Sequence, residues 1–185
     1  MRFRMLILVV TLGWCAAGCL PVPSLYPLVG EGQGITVPGI VGQWGDSTTS
    51  VRFEQGRDPR YTMTLADSSD TTFRCTVLFT RLGGRLFADA LIDDSDLPGG
   101  SRQPMLWPMH LIYRVDLAGD SLLLAFLDDE WVDKAIARHD ISVRHERPGG
   151  TTILTEQTRG LQAMIRKVAN VKAAFDSSAT WAHRR

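Results

Sequence analysis

From Ile40 to the C-terminus apolar and polar residues tend to alternate with a period of two, and this pattern limits the possible folds more than any other feature of the chain. A strand sends successive side chains to opposite faces, so alternation broken by glycine turns builds an antiparallel sheet with one apolar face. The clearest instance is Thr72–Leu82 and Arg85–Ile92 flanking Gly83-Gly84, a two-residue connection that supplies the positive φ angles of a tight hairpin. Its register pairs Phe79 with Ala88, Val77 with Ala90 and Cys75 with Ile92 on a core face. Thr80 with Phe87, Leu78 with Asp89 and Thr76 with Leu91 share a mixed face. A second hairpin joins 106–116 to 121–127 with Ala118-Gly119 as its turn, which sets Val115 against Leu122, Tyr113 against Leu124 and Leu111 against Phe126. Further strands are expected at 42–44, 50–55, 61–67, 141–146, 151–154 and 178–183, with Pro148-Gly149-Gly150 turning one hairpin.

Two helices interrupt the strands. Residues 128–138 begin with Asp128, Asp129 and Glu130 and end in Lys134 and Arg138, the order the helix dipole favours, with Glu130 and Lys134 an i,i+4 pair. Residues 158–169 carry Leu161, Met164, Ile165 and Val168 on one stripe, Thr158 in a capping position, and Arg159, Gln162, Arg166 and Lys167 on the other side. A one-sided stripe packs on a sheet and spans no membrane. The expected fold class is therefore mainly β: one antiparallel barrel or half-barrel of eight to ten strands with two packed amphipathic helices. The 185 residues, 44% of them hydrophobic, suit one such domain. With 20 basic against 20 acidic residues no nucleic-acid partner is expected, since polyanion binding needs clustered Lys and Arg.

The chain opens with Arg2 and Arg4, continues with an apolar run from Met5 to Trp14, and reaches Cys15-Ala16-Ala17-Gly18-Cys19. A basic start, a short apolar run and small residues before a cut describe a secretory signal, at about half the ~20 residues of a membrane span. Ala16-Ala17-Gly18-Cys19 resembles the lipobox of bacterial lipoproteins. That resemblance implies removal of residues 1–18, acylation (palmitate among the chains) of Cys19, and anchoring in the cell envelope. Leu20 after the cysteine points to the outer membrane rather than the inner. Residues 19–39, with Pro21, Pro23, Pro27 and Pro38 and four glycines, read as a tether reaching roughly 60 Å. Residues 40–185 are then the single β-rich domain. Cys75, alternating with Phe73 and Val77, reads as a buried small hydrophobe.

Gly42-Gln43-Trp44, after that tether and at the head of the antiparallel run, resembles the Gly-x-Trp opening of lipocalins. In that family the tryptophan plugs the closed end of an eight-stranded barrel, and several bacterial members are outer-membrane lipoproteins. The resemblance implies a small apolar molecule held in the barrel mouth. Met109, Leu111, Tyr113, Leu124 and Phe126, with Phe79 opposite the small Ala88, are the expected lining. The alternative is a filled barrel whose outer face, around Phe87 and Leu91, docks an envelope protein.

Catalytic chemistry has little support. There is no Gly-x-Ser-x-Gly elbow, phosphate-cradling loop or Cys-x-x-Cys, so no enzymatic activity and no cofactor are expected. His139 and His145 match no zinc spacing, and Asp93-Asp94-Ser95-Asp96 lacks the closing glutamate of a calcium loop, so no metal is expected either. His110, Arg114 and Asp116 fall on one strand face, where they would meet a ligand anion or lie on a covered surface. Trp44, Trp107, Trp131 and Trp181 read as core anchors.

Overall fold

The computed structural model describes residues 21–45, 48–67, 72–92, 109–176 and 178–184. The order of elements is β1 (Pro23–Ser24), β2 (Gly42–Gly45), β3 (Thr49–Gln55), β4 (Tyr61–Asp67), β5 (Thr72–Leu82), β6 (Arg85–Ile92), β7 (His110–Ala118), β8 (Ser121–Phe126), α1 (Asp129–Ala137), β9 (His145–Glu146), β10 (Ile153–Leu154), α2 (Thr158–Val168) and β11 (Ser178–Arg184). Strands β2 to β8 pair with their neighbours in turn. β11 returns between β8 and β2, and β6 also pairs with β7, so eight antiparallel strands close on themselves. Closure removes the free edges that an open sheet of this size would expose. β1 takes the place beside β7 that β8 has vacated and carries β10 and β9 outward.

The first hairpin forms in the expected register, Cys75 to Ile92 through Thr80 to Phe87, around Gly83 (φ +57°) and Gly84 (φ +80°). The second is displaced by two residues. Val115 pairs with Leu124 rather than Leu122, and Tyr113 with Phe126 rather than Leu124, because the turn is Gly119-Asp120. A displacement of two leaves every side chain on its own face, so the apolar pattern does not resolve it; the turn decides. Of the strand expected at 141–146 only His145–Glu146 forms, while Ile141 and Val143 bury their side chains beneath the helices.

Two cores result. Inside the barrel, Trp44, Val51, Phe53, Tyr61, Met63, Val77, Phe79, Ala88, Leu122 and Leu124 fill the space. Outside it, Leu82, Phe87, Ile112 and Ala125 lie under Val132, Leu161, Met164, Ile165, Val168 and Phe175. The long crossover from β8 to β11, which carries both helices, provides this cover. α1 starts as expected: the Asp128 carboxylate accepts from Trp131 N at 2.7 Å and Lys134 reaches Glu130 at 2.6 Å. α2 differs in two details. Gln157 is its N-cap, and the Thr158 hydroxyl donates to Pro27 O at 2.7 Å. Gln162 is buried rather than solvated, donating to Leu28 O at 2.9 Å and to Gln33 Oε1 at 2.6 Å.

Those last contacts correct the reading of 19–39 as a tether. From Pro21 onward the segment packs on the barrel as a strap, with Val22, Leu28 and Val29 buried. Prolines and glycines interrupt its secondary structure, but the apolar residues between them each gain about 1.5–3 kcal/mol on full burial, enough to hold a segment that forms no long strand. Ile35 then bridges to Phe79, Val37 N donates to Tyr61 Oη at 2.7 Å, and Trp44 Nε1 donates to Ile40 O at 2.9 Å. These contacts seal the end of the barrel marked by the Gly83-Gly84 and Gly119-Asp120 turns. Gly42 is required there: at φ +138° a Cβ would stand 2.6 Å from His183 Nε2, whose ring meets Trp44 edge-on at 4.7 Å. No helix among the described residues is long and apolar enough to cross a membrane.

Candidate functional site

At the opposite end β4, β6 and β8 finish and β5 and β7 begin, and among the described residues the interior is less completely covered. Leu65, Ile92, Leu111, Tyr113 and Phe126 are half-buried there, Met109 precedes β7, and Phe73 is 39% exposed. Alternation along five strands aims most of these side chains inward, so their rim forms an apolar mouth. Below it the barrel is solid. Phe79, at 0% exposure, packs against Tyr61 with ring centroids 5.1 Å apart and against Phe53 at 6.0 Å. Of the residues expected to line a ligand site, Met109, Leu111, Tyr113 and Phe126 thus stand at the mouth, whereas Phe79 and Leu124 belong to the floor and present no surface. The small Ala88 and Ala90 leave no open bore, because the aromatic side chains opposite occupy the room.

Tyr113 is a polar group on this inner rim. Burial among apolar side chains drives its phenol well above the ordinary tyrosine value of 10.0, with the Cys75 thiol adding to the shift. Among the described residues its hydroxyl has no hydrogen-bond partner. A donor held in an apolar cup is suited to orient a ligand that carries one oxygen acceptor.

His110, Arg114 and Asp116 do share the outer face of β7, but each is engaged. His110 Nδ1 lies 2.7 Å from Asp89 Oδ1, and the other oxygen of that buried carboxylate accepts Val29 N at 3.0 Å. The Arg114 guanidinium sits over the Phe175 ring at 5.1 Å with Nε 3.5 Å from Asp116, which also faces Arg85 at 3.7 Å. The trio joins barrel, strap and crossover. Ser24 lies opposite His110 in the β1–β7 ladder and completes the residue types of a hydrolytic triad. It is wholly buried and donates its hydroxyl to Tyr26 O at 2.7 Å, so no nucleophile is offered. Sequence reading missed Asp89 because its partner Val29 is sixty residues away; the adjacent apolar pair Leu28-Val29 inside the proline-rich stretch was the available signal.

Elsewhere, the hydrogen bonds between Arg144 and Glu156 raise the guanidinium's pKa and lower that of the carboxylate, a solvated pair that ties β9 to the start of α2. Asp133 receives both Arg147 and the Thr152 hydroxyl. A surface recess of about 560 Å³ lies between Gly30–Gly34 and Asp58–Arg60, and a smaller one of about 230 Å³ beside Arg81 and Arg85; neither opens at the mouth. Among the described residues no three His, Cys, Asp or Glu side chains are placed to hold a metal ion. Cys19, Trp107 and the Asp93–Asp96 run lie outside the described residues.

A closed eight-stranded antiparallel barrel, sealed at a tryptophan-bearing end and flanked by two helices, is a lipocalin-like architecture. No protein-family model matches the chain, and neither a curated protein nor a solved structure matches it. Fold alone fixes no function, so the functional reading rests on the site.

Proposed function

We propose that this chain is an envelope lipoprotein, anchored through acylated Cys19, whose barrel holds a small apolar molecule in its shallow mouth. The half-exposed ring of Phe73, Ile92, Leu111 and Phe126 around Tyr113, whose hydroxyl has no partner among the described residues, carries the reading. Because Phe79 closes the floor, the ligand is short or enters only by one end. Tyr113 would donate to its single oxygen. The alternative of a filled barrel docking an envelope protein draws support from the packed interior. It loses part of the surface expected to serve it, since Phe87 is covered by Phe175 at 5.6 Å, while Leu91 is half-buried.

The test is native mass spectrometry of the Cys19→Ser protein before and after incubation with lipid extract or fatty acids. A retained small mass, lost in Leu111→Trp and weakened about tenfold or less in Tyr113→Phe, is expected, since one neutral hydrogen bond contributes about 0.5–1.5 kcal/mol. No bound mass under any of these conditions would retire the proposal.

A further inference from the structure

The larger surface recess lies outside the barrel, between two irregular segments: residues 30–34 of the strap and residues 58–60 of the β3–β4 turn. Its volume of about 560 Å³ falls within the roughly 300–1,000 Å³ of small-molecule sites. Both walls are fixed in place. On the strap, Val29 N is held by Asp89, Gln162 Nε2 donates to Leu28 O and Gln33 Oε1, and Ile35 N donates to Phe79 O at 2.9 Å. On the turn, Gly56 N donates to Arg60 O at 2.9 Å and Arg60 N to Arg57 O at 2.7 Å. The Thr36 hydroxyl donates to Asp58 Oδ1 and ties one wall to the other. Gly34 permits their close approach, because a Cβ there would stand 2.7 Å from Pro59 Cγ and 3.2 Å from Leu78 Cδ2.

The lining combines an apolar part, the half-buried Pro27, Pro59 and Leu78, with Glu31, Asp58 and Arg60. Elsewhere on the surface neighbouring opposite charges pair, as Lys134 does with Glu130 and Arg144 with Glu156. In the recess they do not: among the described residues the side chains of Arg60 and Glu31 have no partner, and Asp58 meets only Thr36. A preformed hollow that holds both signs of charge apart suits a ligand that carries both. We infer that the recess binds a zwitterion with an aliphatic body, an α-amino acid or a short peptide with free termini. Its carboxylate meets the guanidinium fork of Arg60, its ammonium donates to Glu31 and the remaining oxygen of Asp58, and its side chain covers Leu78 and the two prolines. The site is separate from the mouth and independent of the lipid anchor.

Isothermal titration calorimetry of the purified full chain with leucine and with leucyl-leucine tests the site and shows which length it takes. The amide and the N-acetyl form of each probe remove one charge at a time. The expected result is saturable binding of at least one zwitterion, weakened about tenfold by either blocking group. Arg60→Gln should erase the difference between the zwitterion and its amide while keeping the loss on acetylation. Glu31→Gln should reduce the loss on acetylation and keep that of the amide. Both residues are exposed, so the variants should melt with the wild type. Backbone amide shifts should fall at residues 30–34 and 58–60 and spare Leu111 and Tyr113. No saturable binding of either zwitterion, or equal affinity for the blocked forms, would overturn the site. Shifts confined to the mouth would overturn it too, while leaving the mouth's own ligand reading intact.

Discussion

Asp89 is the residue whose replacement tests the structure most severely. It is buried on the outer face of β6, and its two oxygens serve different elements: Oδ2 accepts Val29 N of the strap and Oδ1 meets His110 Nδ1 of β7. Asp89→Ala leaves the buried Val29 N–H unpaired, which costs about 1–3 kcal/mol, and strips a partner from His110, which is solvated enough to recover part of a further ~1 kcal/mol. Relief of the carboxylate's own desolvation offsets some of this. The net expectation is a loss of about 2–3 kcal/mol, or roughly 5–10 °C in Tm for a chain of this length. Asp89→Asn should lose about half as much, because its carbonyl still accepts Val29 N while its amide can donate to His110. Urea unfolding gives the global value, and amide exchange at Val29 reports whether the strap opens by itself. If Asp89→Ala unfolds within ~0.5 kcal/mol of wild type and Val29 exchange is unchanged, the strap is not held by this carboxylate and the argument fails.

Gly83→Ala should cost about 2–3 kcal/mol by urea titration: a positive φ disfavours alanine by ~1, and the new Cβ would stand 2.8 Å from Ala169 Cβ and 3.1 Å from Arg166 O at the end of α2. Gly84→Ala, with nothing within 4 Å, should lose only the first part, and equal losses would discount the close helix approach. His139 sits at φ +60° after α1, where Asp140 N reaches Ala135 O at 2.9 Å and His139 N reaches Ile136 O at 3.0 Å, a left-handed helix end; His139→Gly should stabilise by up to ~1 kcal/mol in thermal melts. Tyr113 should remain protonated in absorbance titrations well past the ordinary value of 10.0, with Tyr113→Phe removing that late transition. The folded state keeps a proton that the unfolded chain releases, so stability should fall as pH rises through about 10, less steeply in Tyr113→Phe.

The sequence by itself determined the strands, their faces and the first hairpin's register, because a period of two and a Gly-Gly turn are local properties of neighbouring residues. It also determined the stripe of α2, with Leu161, Met164, Ile165 and Val168 all buried where their spacing put them. It reached four residues of the mouth for the same reason, since membership of an inner face follows from parity alone. Tertiary structure decided whatever depended on distance along the chain. The second hairpin's turn had two solutions with identical faces, and the folded chain takes Gly119-Asp120, which sets Leu117 against Leu122. Whether Phe79 and Leu124 lined a bore or filled it depended on what stood across the barrel, where Tyr61 and Phe53 occupy the space. The proline- and glycine-rich segment carried a linker's local signature. Leu28 and Val29 found their burial, and Val29 its Asp89 partner, only after residues sixty and more positions away had folded into place. Composition reports what a segment cannot form by itself, and only the assembled barrel supplied the surface against which this one is ordered.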